Sequence, residues 1–408
     1  MNWLKEHEID SWILKGSLAL MVLFPAFYSP HTDVYESAYY AGFSWAYFFL
    51  ALYMLLQLVW NRKKLFDVSA AKILFLAVLL AYNVFSLYFN RKYLNWYWEQ
   101  INNTAAFLFM GILLGFHISL GREKHDTILF LMRCIVLSNV ASIVYYFMGY
   151  VNLLICNNQF ITYQLPPDYY EECHYWLYSH KCEYALMLVA FIALFIAYRK
   201  KFRNKLTFAL SMAVLVFCLF LAHSWTGIAG MLLIVLGAVL DGVNWKEFHF
   251  RKWHLAVLAA ALAAVGAVAY GILSERDLST LGARLPIWKA ALQTILKYPQ
   301  GWGMRFGTSM MLTETGMMTN NAHNLFLNQI LRFSIPAGVC FTLLFLGIAV
   351  YTLIKGRSFL MTGTWLALLL LLNMDYSLMS VNMALVFLIV YLISLKRKEK
   401  RLTEDGKG

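Results

Sequence analysis

Residues 206–243 read LTFALSMAVLVFCLFLAHSWTGIAGMLLIVLGAVLDGV: two apolar runs, 206–223 and 227–243, parted by Ser224-Trp225-Thr226. Each run is close to the roughly 20 residues that a helix needs to cross bilayer hydrocarbon. Apolar side chains follow one another without the period-two alternation of a transmembrane β-strand, which excludes a β-barrel. Just upstream lies a basic cluster, Arg199-Lys200-Lys201 with Arg203 and Lys205.

Working outward, comparable runs fall near 12–29, 39–60, 70–89, 103–120, 127–147, 183–199, 254–273, 333–354, 359–374 and 381–395. With the quoted pair they predict about twelve transmembrane helices in one polytopic domain over 1–408. Composition agrees: 61% of residues are hydrophobic and 14% charged, against about 45–50% and about 25% in soluble domains. The fold class expected is therefore an all-α integral membrane protein. The first run follows Glu8 and Asp10 rather than basic residues, so it reads as a retained helix and not a signal peptide.

Net charge is +12, from 34 Lys and Arg against 22 Asp and Glu. In a soluble chain that excess would point to nucleic acid. Here it segregates by loop. Arg62-Lys63-Lys64, Arg122 and Lys124, Arg199 to Lys205, Arg251-Lys252, Lys355 and Arg357, and Lys396-Arg397-Lys398 form one set. Asp33, Glu36, Asp168, Glu171, Glu172, Glu275 and Asp277 fall in the other. The positive-inside rule then puts both termini and the basic loops in the cytoplasm, and no nucleic acid is needed. Arg133 and Asp241 lie toward span edges. No chain of acids or histidines crosses the bilayer as a proton relay would require, which weighs against a transporter. So does the lack of an evident internal repeat.

Two outer segments are long enough to carry function, 148–183 and 274–324. The first holds Cys156, Cys173 and Cys182, with His174, His180 and Lys181. No close Cys pair has zinc spacing, so no metal is expected; one disulfide with a thiol left over is compatible with an oxidising face. Its aromatic residues, like Tyr93 to Trp98, read as an interfacial belt.

The second segment predicts an amphipathic helix from about Leu285 to Leu296. Leu285, Trp288, Leu292 and Ile295 recur at helical spacing, and Lys289, Gln293 and Lys297 line another face. Pro286 suits a first turn, and Tyr298-Pro299 with Gly301-Trp302-Gly303 ends it. A helix of this kind fits along the outer interface. Arg284 at its start offers a planar fork of donors suited to phosphate. His323-Asn324, where the segment returns to the membrane, offers an imidazole suited to taking a hydroxyl proton. On residue type alone, Arg284 reads equally as an interfacial anchor and His323 as a local cap.

As an ordered set, Leu278 to Arg284, Ile287-Trp288, Tyr298-Pro299, Gly301-Trp302-Gly303 and His323-Asn324-Leu325-Phe326-Leu327, with Gly338 in the next span, resemble the O-antigen ligase and O-antigen polymerase superfamily of bacterial envelope proteins. The resemblance covers about 274–345 in motif and the rest in topology. It implies an inverting glycosyltransferase of the cytoplasmic membrane, independent of metal and of any cofactor. A glycan would pass from an undecaprenyl pyrophosphate carrier to an acceptor hydroxyl at the outer face. The activity implied is repeat-unit polymerisation; the alternative is ligation to a surface acceptor, and the rival class is a lipid-linked oligosaccharide flippase. By matching, His323 is the base and Arg284 holds the pyrophosphate, with Asn324 on the substrate side. A flippase and a chain-length regulator are the partner proteins such a polymerase implies.

Two departures stand out. The family's Ser-Arg pair at an earlier span falls on Ser224-Trp225, so that Arg is missing, and Ala283 separates Gly282 from Arg284. Candidates for the missing charge on the substrate are Arg305, Arg332, Lys181 and His223. The stretch Ser179 to Glu183 also resembles, weakly, a family position that carries a Lys or Arg.

Overall fold

The structure is a computed structural model. It describes residues 9–23, 45–60, 69–90, 97–115, 124–150, 152–156, 159–163, 173–178, 181–202, 204–243, 284–301, 322–374 and 380–405, with isolated positions at 263, 266 and 270. The described helices are α1 (Ile9–Leu23), α2 (Trp45–Trp60), α3 (Ala70–Asn90), α4 (Tyr97–Gly115), α5 (Lys124–Phe147), α6 (Lys181–Ala197), α7 (Lys205–Leu221), α8 (Trp225–Gly242), α9 (Arg284–Lys297), α10 (Leu325–Phe333), α11 (Ile335–Gly356), α12 (Phe359–Met374) and α13 (Ser380–Asp405). A helix thus lies on eleven of the twelve expected runs. Of the run at 254–273 only the isolated positions 263, 266 and 270 are described, and the rest lies outside the described residues.

Among the described residues, four helices are long and apolar enough to cross a membrane, at Ala70–Phe89, Asp126–Phe147, Trp225–Gly242 and Ile335–Gly356. Shorter apolar helices pack among them. On α6 every described side chain from Cys182 to Ala197 is buried, and on α13 every one from Met383 to Ile393. A helix that is apolar all round belongs in the middle of a bundle. The perimeter is the reverse of a soluble surface. Leu74, Leu80 and Val84 on α3, Leu137 and Val144 on α5, and Leu343, Val350 and Ile354 on α11 are large, apolar and exposed. Exposed apolar area on this scale suits hydrocarbon and not water.

Small residues set the closest approach. Helices α8 and α12 run antiparallel with Gly237 against the backbone of Phe359, Gly363 against the Leu233 carbonyl, and Gly230 against Leu371. Without a hydrophobic force between helices in lipid, such backbone contact is what holds them. Asp241, at the end of α8, accepts the Phe359 (2.7 Å) and Leu360 (3.0 Å) amides and so caps α12. That gives the span-edge acid a structural purpose.

The all-α expectation misses one small feature. Within 148–183, β1 (Asn152–Cys156) and β2 (Gln159–Tyr163) form an antiparallel hairpin, with Asn152 opposite Tyr163. The same segment then dives inward. His174 is fully buried, its Nε2 2.7 Å from Ser142 Oγ, and the Tyr184 hydroxyl donates to Asn139 (2.7 Å). The Trp176 indole donates to Ser138 (3.0 Å). Tyr175, Trp176 and Tyr178 are buried, so these aromatics are core and not the interfacial belt expected of them. Neither Cys173 nor Cys182 is in a disulfide.

Candidate functional site

The helix expected in the second outer segment is present as α9. Its buried face, however, is Ile287, Ala290, Ala291, Thr294 and Ile295, while Leu285, Leu292 and Leu296 are exposed. The stripe of large residues read from the sequence therefore splits. Ile287, Ala291 and Ile295 carry the helix contact, and three leucines face outward. The partner is α10, through a small cluster of Ile287, Ala291, Ile295, Ala322 and Leu331.

The apolar pattern predicts a span opening at 333; the structure adds a separate short helix before it, α10, parted from α11 by Ser334. Ser334 has φ 103°, and its hydroxyl accepts the Ala337 amide (3.3 Å), with Pro336 in the first turn of α11. The pattern Ser-Ile-Pro carries that break. Helix α10 folds back antiparallel along α11, with Gly338 against Ile330 and the Phe326 ring 5.8 Å from Phe345.

Helices α9 and α10 run parallel. At their starts the Trp288 indole donates to the Ala322 carbonyl (3.0 Å); at their far ends the Ile335 amide donates to Pro299 O (3.0 Å). Gly301, with φ 73°, lies so close to the Ser334 amide that no Cβ fits there. The starts of α9 and α10, and with them Arg284 and His323, therefore share one end of the bundle. Arg284 Nε donates to the Met374 carbonyl (2.6 Å) at the end of α12. A cation in the first turn of its own helix is disfavoured, by about 0.3–1 kcal/mol, and one beside a helix C-terminus is favoured by a similar amount. The α12 terminus thus offsets what α9 costs.

His323 has φ 47°. The left-handed conformation costs a non-glycine residue about 1–2 kcal/mol and persists where its surroundings dictate it. Its neighbours do so. The Ala322 amide donates to Asn328 Oδ1 (2.9 Å), and Asn324 Oδ1 accepts the Leu327 amide (3.0 Å) as the N-cap of α10. The side-chain oxygen of Asn324, placed on the substrate side above, is thus engaged in capping.

The remaining candidates divide. His223, also left-handed at φ 47° and exposed, precedes the Ser224 cap of α8. Because α8 is antiparallel to α12, its start sits beside the Met374 end that holds Arg284. Lys181 opens α6, which runs parallel to α8 with Ala185 against Gly227; its Nζ is 3.4 Å from Cys173 Sγ. Lys181, His223, Arg284 and His323 thus gather at one end, as do the amino termini of α6, α8, α9 and α10. Each such terminus carries about half a positive charge, but the carboxyl ends of α7 and α12 reach the same end and oppose it, so an anion there would rest on the Lys181 and Arg284 side chains. Arg332 does not join them. It lies at the opposite end of α10, beside Gly301 and roughly 13 Å along the helix from His323. Arg305 lies outside the described residues. Among the described residues no three His, Cys, Asp or Glu side chains gather as a metal site would.

Nearby, burial holds the Tyr178 phenol well above its ordinary pKa, and the Glu183 charge pushes the same way. No family model matches this chain, and no curated protein matches it either.

Proposed function

We propose that this chain is a membrane-embedded, metal-independent glycosyltransferase that takes a glycan from undecaprenyl pyrophosphate, most simply as a repeat-unit polymerase. The observation that carries the reading is the parallel pairing of α9 and α10, with the Trp288–Ala322 hydrogen bond at their starts. It brings a guanidinium and an imidazole, far apart in sequence, to the end of the bundle that also carries Lys181 and His223.

On this reading His323 takes the proton of the acceptor hydroxyl as its oxygen attacks the anomeric carbon. The bond from that carbon to the carrier phosphate breaks, and the lipid pyrophosphate leaves against Arg284. Attack opposite the leaving group inverts the anomeric centre. Pyrophosphate is already a good leaving group, so positioning and charge stabilisation supply most of the acceleration. Lys181 and His223 are the described groups positioned to take over the charge missing at Trp225.

Orientation follows from the same axis. Arg199-Lys200-Lys201 end α6, and Lys355 and Arg357 end α11, opposite the start of α6 that carries Lys181. With those basic ends in the cytoplasm, and both termini there too, the site faces outward across a membrane spanned about twelve times.

The test is His323→Ala in the native host, sizing surface and carrier-linked glycan. Single repeat units left on carrier or acceptor support a polymerase. Long polymer stranded on the carrier makes the chain a ligase, and units trapped on the cytoplasmic face make it a flippase. Wild-type glycan from both His323→Ala and Arg284→Ala removes the enzymatic reading.

A further inference from the structure

His323 is one of two histidines with left-handed backbone at this end of the bundle, and backbone strain by itself assigns neither a task. What separates His323 from His223 is the source of its restraint. The residues flanking His223 are held by their own chain neighbours, the His223 amide donating to Phe220 O, the Ala222 amide to Cys218 O and the Gly227 amide to the Ser224 hydroxyl, while the tie from another element, the His174 amide to Leu221 O (2.8 Å), falls two residues back. The residue before His323 is instead gripped from two elements at once. Ala322 is fully buried; its amide goes to Asn328 on α10 and its carbonyl to Trp288 on α9.

Trp288 is four residues beyond Arg284, which puts the two on one side of α9, one turn apart. The indole therefore ties the backbone of His323 to the helix that delivers Arg284. Asn328, itself buried, closes the grip from the other side. A slide of α9 along α10 would break the bond at Ala322 and release the peptide that sets the direction of the imidazole.

We propose that Trp288 and Asn328 are positioning residues that fix His323 relative to Arg284 through the backbone of Ala322. This rests on the functional reading above only for its kinetic consequence. The geometric part stands without it: Trp288→Phe, which keeps an aromatic ring but has no N–H to donate, should change the surroundings of His323 while α9 stays packed.

The experiment uses the full-length protein in detergent micelles with 15N-labelled histidine. The His323 resonances are assigned by their loss in His323→Ala. Trp288→Phe and, independently, Asn328→Leu should each shift those resonances and leave those of His223 in place, with an unfolding temperature close to wild type. Unmoved His323 resonances in Trp288→Phe overturn the proposal. In glycan transfer, Trp288→Phe should lower turnover about 10- to 100-fold, the scale of a small misplacement, with KM for the lipid-linked donor within about twofold. In a His323→Ala background it should add no further loss, since the two act as a unit. The same loss in both backgrounds also overturns it. Full transfer by His323→Ala alone would sink the functional reading, and the resonance comparison would still decide the clamp.

Discussion

Replacing Gly363 by alanine pits two effects of known size against each other. In an exposed helix interior, alanine is favoured over glycine by about 0.8–1 kcal/mol. Gly363 is not exposed: a Cβ there would lie 2.5 Å from the Leu233 carbonyl oxygen and 3.2 Å from its carbon. Both are backbone atoms inside α8, which cannot swing aside as a side-chain tip can. Forcing a methyl group into a packed contact costs about 1–3 kcal/mol. The collision outweighs the propensity, and Gly363→Ala should be destabilising by about 1–2 kcal/mol. Gly347 on α11 is the control, with nothing within 4 Å of its would-be Cβ. There only the propensity acts, so Gly347→Ala should stabilise by about 0.5–1 kcal/mol. Thermal unfolding of the two purified variants in one detergent, followed by tryptophan fluorescence, should move their midpoints in opposite directions. A Gly363→Ala protein as stable as wild type, or more so, would refute the close contact of α8 and α12. It would also loosen the placement of His223 and Met374, which depends on that contact.

Asp241→Ala should cost about 1–2 kcal/mol, as loss of an N-cap does, and Asp241→Asn about half of it, since one acceptor oxygen survives; chemical unfolding of the two variants checks this. Gly301→Ala should destabilise the α9–α10 unit by about 1–3 kcal/mol, through its positive φ and its contact with the Ser334 amide, and limited proteolysis should then cut sooner near 298–301. Tyr178 holds its proton more tightly folded than unfolded. Its contribution is fully present below the unfolded phenol pKa near 10 and falls as pH rises above it. Tyr178→Phe should therefore flatten the alkaline limb of a stability-against-pH curve and leave neutral pH nearly unchanged.

The helices were readable because bilayer solvation demands long unbroken apolar runs, and that demand leaves its mark on every span. Which face of each helix meets its neighbours was not. Periodicity puts Leu285, Trp288, Leu292 and Ile295 on one apolar stripe of an interfacial helix and does not say which of them meets a neighbour. Ile287, Ala291 and Ile295 meet α10, while Leu285 and Leu292 face outward, where lipid accepts leucine. The break at Ser334 hid inside what reads as one continuous approach to a span. The inward turn at His174 left no local signal, since its polar partners lie on other helices. Arg284 and His323 could be named from residue order, but their shared end depends on Trp288 meeting Ala322, a pairing that no spacing encodes.

Neighbouring helices that point the same way need a return path, and the one between Gly301 and Ala322 has an odd economy. Its two anchor points are about 13 Å apart along the axis of α10. The intervening residues, 302–321, have a contour of roughly 66 Å when stretched. The strand of chain therefore carries about five times the reach that geometry asks of it. Shortening or lengthening it by several residues should leave both anchors where they are. Variation in the length of this stretch would then leave the pairing of α9 with α10, and the residues at its start, undisturbed.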